Sequence, residues 1–256
     1  MFNSAYFESL LKNVSLQNEI FNMKSFFLFV CILIGSHLSY SQSNFRGWAI
    51  NEAFENRADR DRFVNITTEN DFNIKGSKYL SKDFVSARLS TMPEKIYGVR
   101  YNIFKDEMEF EGLDNKVYAL SKIDDSTMVT FTQTGDSYHL FRYVSDKNQQ
   151  KKGYFLKLNP EGNYLLLKKN RVVFFDVQTP DNGYENPKPA MYKKTKDRIY
   201  IKNRDNDAVL FSTKKSKLNE LFPNNGEQVI RFIKKNNIKL KKESDLIAFV
   251  NFLNTL

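Results

Sequence analysis

Beyond position 41 the chain has no cysteine and a single histidine, and these two absences remove most of the familiar catalytic chemistry. Cys31 is the only cysteine in 256 residues. Without thiols the remaining chain cannot form disulfides, thiolate nucleophiles or cysteine-based zinc sites. Of the two histidines, His37 and His139, only His139 lies past the start region. A Ser-His-Asp catalyst would have to use it, and no G-x-S-x-G elbow accompanies it. One histidine cannot build a histidine-rich metal site either. Ten glycines and six prolines form no phosphate loop, dinucleotide fingerprint or internal repeat. No apolar run reaches the 20 or so residues of a membrane-spanning helix. Nothing in the sequence calls for a cofactor or a metal.

What is present begins with an export segment. Met23 and Lys24 form a charged stub, Phe26 to Ile34 is an apolar run of nine residues, and Ser36 to Ser41 is a small polar tail before Gln42. This is the three-part pattern of a secretory signal peptide, placing the protein in the periplasm or outside the cell. Residues 1–22 read as an upstream extension, with translation starting at Met23. The rival reading is an amphipathic anchor helix carrying Phe7, Leu10, Leu11 and Val14. Cys31 follows Val30 within the apolar run, so it reads as an ordinary residue of that run and not as a lipoprotein site. A disulfide-free exported chain must rest on its core. At this length folding buries about 70% of the unfolded surface.

Charge is unevenly distributed. Residues 42–145 carry 14 Lys+Arg against 16 Asp+Glu, whereas residues 146–256 carry 23 against 12. The basic half suits an acidic envelope polymer or a protein partner, though lysine also simply solvates exposed faces. No helix-turn-helix, zinc-finger or RNP-type motif points to nucleic acid.

The clearest folding signal is Tyr97 to Glu111. Tyr97, Val99, Tyr101 and Ile103 alternate onto one side, and Met108 and Phe110 resume the alternation, as in a β-hairpin with one buried face. Segments 84–89, 117–120, 128–133, 138–144, 154–158, 164–168, 172–175, 199–202 and 209–211 also read as strands, and 45–65 as partly helical. Turn residues punctuate them at Gly76-Ser77, Asp124-Asp125, Gly135-Asp136 and Asn159 to Asn163. The last of these reads as a turn closed by a left-handed Gly162. Short links imply antiparallel neighbours, hence a mainly β (α+β) fold with an antiparallel meander, curved into a barrel or a two-layer stack. The loop at 180–189 ends the first run of strands. After Ser212 the period lengthens, and three short helices are expected around Leu218–Phe222, Val229–Ile233 and Leu246–Leu253. Ser212 or Thr213 and Asn225 or Gly226 are their candidate N-caps. The organisation implied is a β-rich domain over 42–211 with a helical subdomain over 212–256 packed on it, covering a sheet edge or face.

Three stretches carry a resemblance: I-x-G-S-x-Y-L-x-x-D-F at Ile74 to Phe84, R-Y-N-I-F-x-D-E-M-E-F at Arg100 to Phe110, and Y-F-L-K-L at Tyr154 to Leu158. Together with the lysine-rich end at Leu218 to Leu256, they make the chain similar to a set of uncharacterised exported proteins of Bacteroidota. The resemblance implies secretion and one folded unit, and no activity.

Candidate site residues are few, and no catalytic residue is assigned. Glu107, Glu109 and Glu111 alternate with Met108 and Phe110 and are expected on a wet sheet face. Asp205-Asn206-Asp207 has oxygen ligands but lacks calcium-loop spacing. His139 shares a side with Phe141 and Tyr143 and is expected to be a packed or edge-exposed side chain. Aromatics are abundant, 23 Phe and 13 Tyr. Tyr143, Tyr154 and Tyr164, near the basic half, are the candidate contact residues. The expected function is a non-enzymatic binding or structural module of the cell envelope. The alternative is a carboxylate-dependent hydrolase of a glycan or phosphoester.

Overall fold

The computed structural model describes residues 61–67, 71, 73–178, 186–204, 206–222 and 225–256. The export segment with Met23, Lys24, Cys31 and Ser41, the extension before it, Asp205, Pro223 and most of the 180–189 loop lie outside the described residues.

The described residues are mainly β. Strands β1 (Phe63–Ile66), β2 (Val85–Leu89), β3 (Met92–Asn102), β4 (Glu107–Glu111) and β5 (Val117–Leu120) come first. They are followed by β6 (Met128–Phe131), β7 (Ser137–Val144), β8 (Gln150–Lys157), β9 (Tyr164–Lys169), β10 (Val172–Phe175), β11 (Met191–Lys194), β12 (Arg198–Asn203) and β13 (Val209–Leu210). Three short helices end the chain: α1 (Lys215–Leu221), α2 (Gly226–Lys235) and α3 (Glu243–Leu253). Eleven strands form one antiparallel sheet in the order β1-β5-β4-β3-β2-β6-β7-β8-β9-β12-β13, while β10 and β11 pair separately. The sheet does not close into a barrel.

The central hairpin has the register its alternation implies, Val99 opposite Phe110 and Tyr101 opposite Met108. Tyr97, Val99, Tyr101, Met108 and Phe110 are all buried. The β8–β9 hairpin also forms, with Leu156 opposite Lys168.

Four expectations are corrected. Successive strands do not all neighbour one another: β6 follows β5 in sequence but pairs with β2, Ala87 opposite Phe131. Residues 121–127 can make this return because the sheet curls. Strands β1 to β8 all contribute to one cluster containing Phe63, Phe110, Tyr101, Tyr138 and Tyr154. Lys152 Nζ of β8 accordingly donates to the carbonyls of Lys122 and Ile123 just after β5. Second, residues 63–66 within the expected helical stretch form β1, since Phe63 packs edge-on to Phe110 at 5.1 Å. Third, β11 carries no clear alternation and pairs with β10 outside the main sheet, held by Phe174, Tyr192 and Phe104. Fourth, Gly162 is not left-handed; among the described residues the glycines with positive φ are Gly76 and Gly135.

Gly162 is needed for close approach. A Cβ there would lie 2.5 Å from the Asn254 side-chain amide. That amide accepts from Tyr164 N (2.7 Å) and donates to Tyr164 O (3.0 Å), so it docks the end of α3 on the β8–β9 hairpin. Helices α1 to α3 pack Leu218, Phe222, Val229, Leu246, Phe249 and Leu253 against Leu166, Ile201 and Phe211 of the sheet. The opposite face carries Leu167 of β9 and Tyr200 of β12, clustered with Phe155 of β8 and Ala208. The run Leu165-Leu166-Leu167 is uninterrupted because β9 is covered on both sides.

Candidate binding cleft

Tyr164, the first residue of β9, lines a cleft of about 630 Å³ where strand ends, a turn and a helix end meet. Arg142 and Gln150 come from the ends of β7 and β8, and Asn203, Asn206 and Asp207 from the β12–β13 turn. Glu220, Leu221 and Phe222 come from the end of α1. Backbone hydrogen bonds hold these parts together. Ala208 N donates to Arg142 O (2.9 Å), Val144 N donates to Ala208 O (3.0 Å), and Arg204 N donates to Asn163 O (2.9 Å).

The polar wall is organised by Asp207. Its carboxylate accepts Gln150 Nε2 at 3.0 Å and lies 3.5 Å from Arg142 Nε. Glu220 pairs with Lys217 at 2.6 Å. The exposed Asn206 side chain makes no hydrogen bond among the described residues. The apolar wall is Tyr164 set edge-on to Phe222 at 5.4 Å, with Ile201, Val209 and Leu221 beside it. Tyr164 is half-buried. Arg142, Asn206 and Asp207 also line a second cleft of about 360 Å³, shared with Lys202 and Arg204.

The other candidates do not meet there. Tyr154 is 1% exposed, packed edge-on to Tyr101, so its ring is core and not surface. Burial raises its phenol well above the usual range, with Asp106 adding to the shift. Tyr143 is half-buried against Phe155 and Tyr200. His139 lies parallel to Phe141 with ring centroids 5.6 Å apart. Desolvation there, with Lys157 nearby, holds its pKa down to about 4. Among the described residues no group of three or more His, Cys, Asp or Glu could hold a metal ion.

Glu109 corrects the expectation of a wet acidic face. It is 2% exposed, with Oε2 2.7 Å from both Arg100 Nε and Nη2, and Oε1 accepting from Asn102 Nδ2 at 2.8 Å. The Arg100 guanidinium is itself sandwiched between Tyr79 and Phe84, 4.1 and 4.4 Å from their ring centres. Residues 78–80 pair alongside the end of β3, where Tyr79 bridges Asn102, Leu80 N donates to Tyr101 O and Ile103 N to Lys78 O, and this brings the Tyr79 ring over Arg100. Glu107 and Glu111 are half-buried. Partial desolvation raises the Glu107 carboxyl.

One feature carried no sequence signal. Asp106, left-handed at φ 58° in the β3–β4 turn, accepts from Tyr101 Oη (2.6 Å), Lys169 Nζ (2.9 Å) and Tyr154 N (3.2 Å). Burial pulls the Lys169 pKa down, and Asp106 opposes the shift. Gly153 leaves the space, since a Cβ there would lie 2.5 Å from Asp106 Oδ2 and 2.6 Å from Lys169 Nζ. The lysine-rich end marked in the sequence forms a basic tip. Lys234, Lys235, Lys239 and Lys241, between the end of α2 and the start of α3, are exposed and make no ion pair among the described residues. Phe232 of α2 and Phe252 of α3, stacked at 3.9 Å, brace the helices beneath it. No helix among the described residues is long and apolar enough to cross a membrane. No protein family, no curated protein and no solved structure matches the chain.

Proposed function

We propose that this protein is an exported, non-enzymatic binding module whose helical end engages an acidic polysaccharide of the cell envelope. The observation that carries this reading is the tip at Lys234, Lys235, Lys239 and Lys241, whose ammonium groups are exposed and unneutralised. Neighbouring acids are committed elsewhere. Glu243 pairs with Lys168 at 2.9 Å, Asp245 lies 3.3 Å from Lys242, and Glu227 lies 3.5 Å from Arg231. A concentrated positive field on a rigid helical pair attracts a polyanion and releases its counterions. Export rests on the Met23 to Ser41 pattern.

The hydrolase reading would draw its two acids from the cleft, Asp207 and Glu220. Each is paired with a cation of its own, Arg142 and Lys217 respectively, so the two acids do not form an opposed pair by themselves.

Retention of the full chain on immobilised polygalacturonate tests the proposal, with neutral agarose as control. Raising NaCl from about 25 mM to about 500 mM shortens the screening length from roughly 20 Å to roughly 4 Å, which should release the protein. Retention that ignores salt, or equal retention on agarose, would contradict the proposal.

A further inference from the structure

We infer that the 630 Å³ cleft beside Tyr164 is a second, separate binding site, for an uncharged oligosaccharide. The chain carries +9, yet the ionised groups lining this cleft present no excess of positive charge: Arg142 faces Asp207, and Glu220 is paired with Lys217, which lies outside the lining. A charged ligand would gain no net field here and would have to compete with these pairs. The walls are amphipathic. One side offers amides and the free end of a guanidinium, the other the half-buried ring of Tyr164 backed by Phe222. A sugar ring has the same division, with C–H groups that lie against an aromatic face and hydroxyls that need paired donors and acceptors.

The polar side is open for such use. Asn206 has both amide functions free among the described residues, and Gln150 uses Nε2 on Asp207 while its Oε1 makes no hydrogen bond there. The Tyr164 hydroxyl also makes no hydrogen bond among the described residues. The site is preformed, because the Asn254 amide clamps the Tyr164 backbone from behind and Ala208 fixes the turn bearing Asn206 and Asp207. Little ordering entropy is then left to pay on binding. The volume lies in the usual range of small-ligand clefts.

Saturation-transfer NMR of the full chain with maltotetraose, cellotetraose, mannotetraose and N-acetylated chitotetraose tests this, with tetragalacturonate as the charged counterpart. At least one neutral tetrasaccharide should bind with Kd below about 1 mM. Tyr164→Ala should weaken it about tenfold and Asn206→Ala several-fold, roughly the loss of one stacking or one hydrogen-bond contact. Tyr164 also packs on Phe222, so if Tyr164→Ala misfolds by circular dichroism, Asn206→Ala decides, its side chain having no structural bond to lose. No binding at about 10 mM ligand, binding unchanged in the folded variants, or binding of tetragalacturonate alone would overturn the assignment. Loss of the four tip lysines should leave this binding intact, which separates the two sites.

Discussion

Asp106 and Lys169 lie 63 residues apart in the chain and 2.9 Å apart in the fold. One sits in the β3–β4 turn and the other ends β9, so their ion pair fastens two strands far apart in the sheet order across the curl. Lys169 Nζ also donates to Tyr154 O at 3.0 Å and lies 4.6 Å from the Phe155 ring centre.

Breaking one side of this pair removes the main opposite charge from a largely buried group: Lys169→Met leaves Asp106 with Lys122 at 3.4 Å and its two hydrogen bonds, and Asp106→Asn leaves Lys169 with the Tyr154 carbonyl. Asp106→Asn and Lys169→Met should each cost about 3 kcal/mol in urea denaturation, the usual scale for one-sided loss of a buried pair. The double variant should recover part of that loss. Additive costs would show that the two residues are not coupled.

Asn254 and Gly162 offer a second cycle. Asn254→Ala removes both hydrogen bonds to the Tyr164 backbone and should cost about 2 kcal/mol. Gly162→Ala should destabilise the native chain, where its Cβ meets the Asn254 amide, and be close to neutral once Asn254 is alanine. Equal cost in both backgrounds would assign the effect of Gly162→Ala to something other than the Asn254 contact.

His139 should make stability depend on pH on the acid side. Its folded pKa is about 4, below the ordinary 6.5, because burial disfavours the cation, with Lys157 acting in the same direction and Glu161 opposing. Between these values the unfolded chain binds more protons than the folded one. Its contribution is therefore complete above about pH 6.5 and is lost as pH falls towards 4. With a discount for partial exposure this amounts to about 1–2 kcal/mol. His139→Phe should flatten the pH dependence of the urea midpoint over that window; an unchanged slope would contradict it.

Glu109 and Glu107 should respond differently to the same change. Glu109→Gln leaves the partly buried Arg100 guanidinium without its carboxylate and should cost about 3 kcal/mol. Glu107→Gln should stay within about 0.5 kcal/mol, as for a half-exposed position. Thermal melts of the two variants compare them directly.

These residues also mark where sequence reading works and where it stops. Tyr97, Val99, Tyr101, Met108 and Phe110 show their hairpin because one buried face imposes a period of two. Glu109 reads as solvent-facing by the same rule, and it is buried because residues near 79–84, with no periodic pattern of their own, lay Tyr79 and Phe84 over Arg100. Met128 follows β5 closely enough to suggest pairing with it, and only the curl of the whole sheet places β6 beside β2. Helices α2 and α3 are legible from Val229, Phe232, Leu246 and Phe249 because their apolar stripes face a single partner. The cleft is assembled from Arg142, Tyr164, Asn206 and Phe222, too far apart in sequence for any spacing to show. Asp106 and Lys169 each read as an ordinary polar residue until the fold brings them together.

The polyanion-binding tip is the central claim, and the salt dependence of polygalacturonate binding by the full chain tests it most directly. Affinity should fall steeply with NaCl concentration for the native protein. The variant with Lys234, Lys235, Lys239 and Lys241 all changed to Gln should bind about tenfold or more weakly at low salt, with a much shallower salt slope. Identical affinities and slopes for the two proteins would contradict the account.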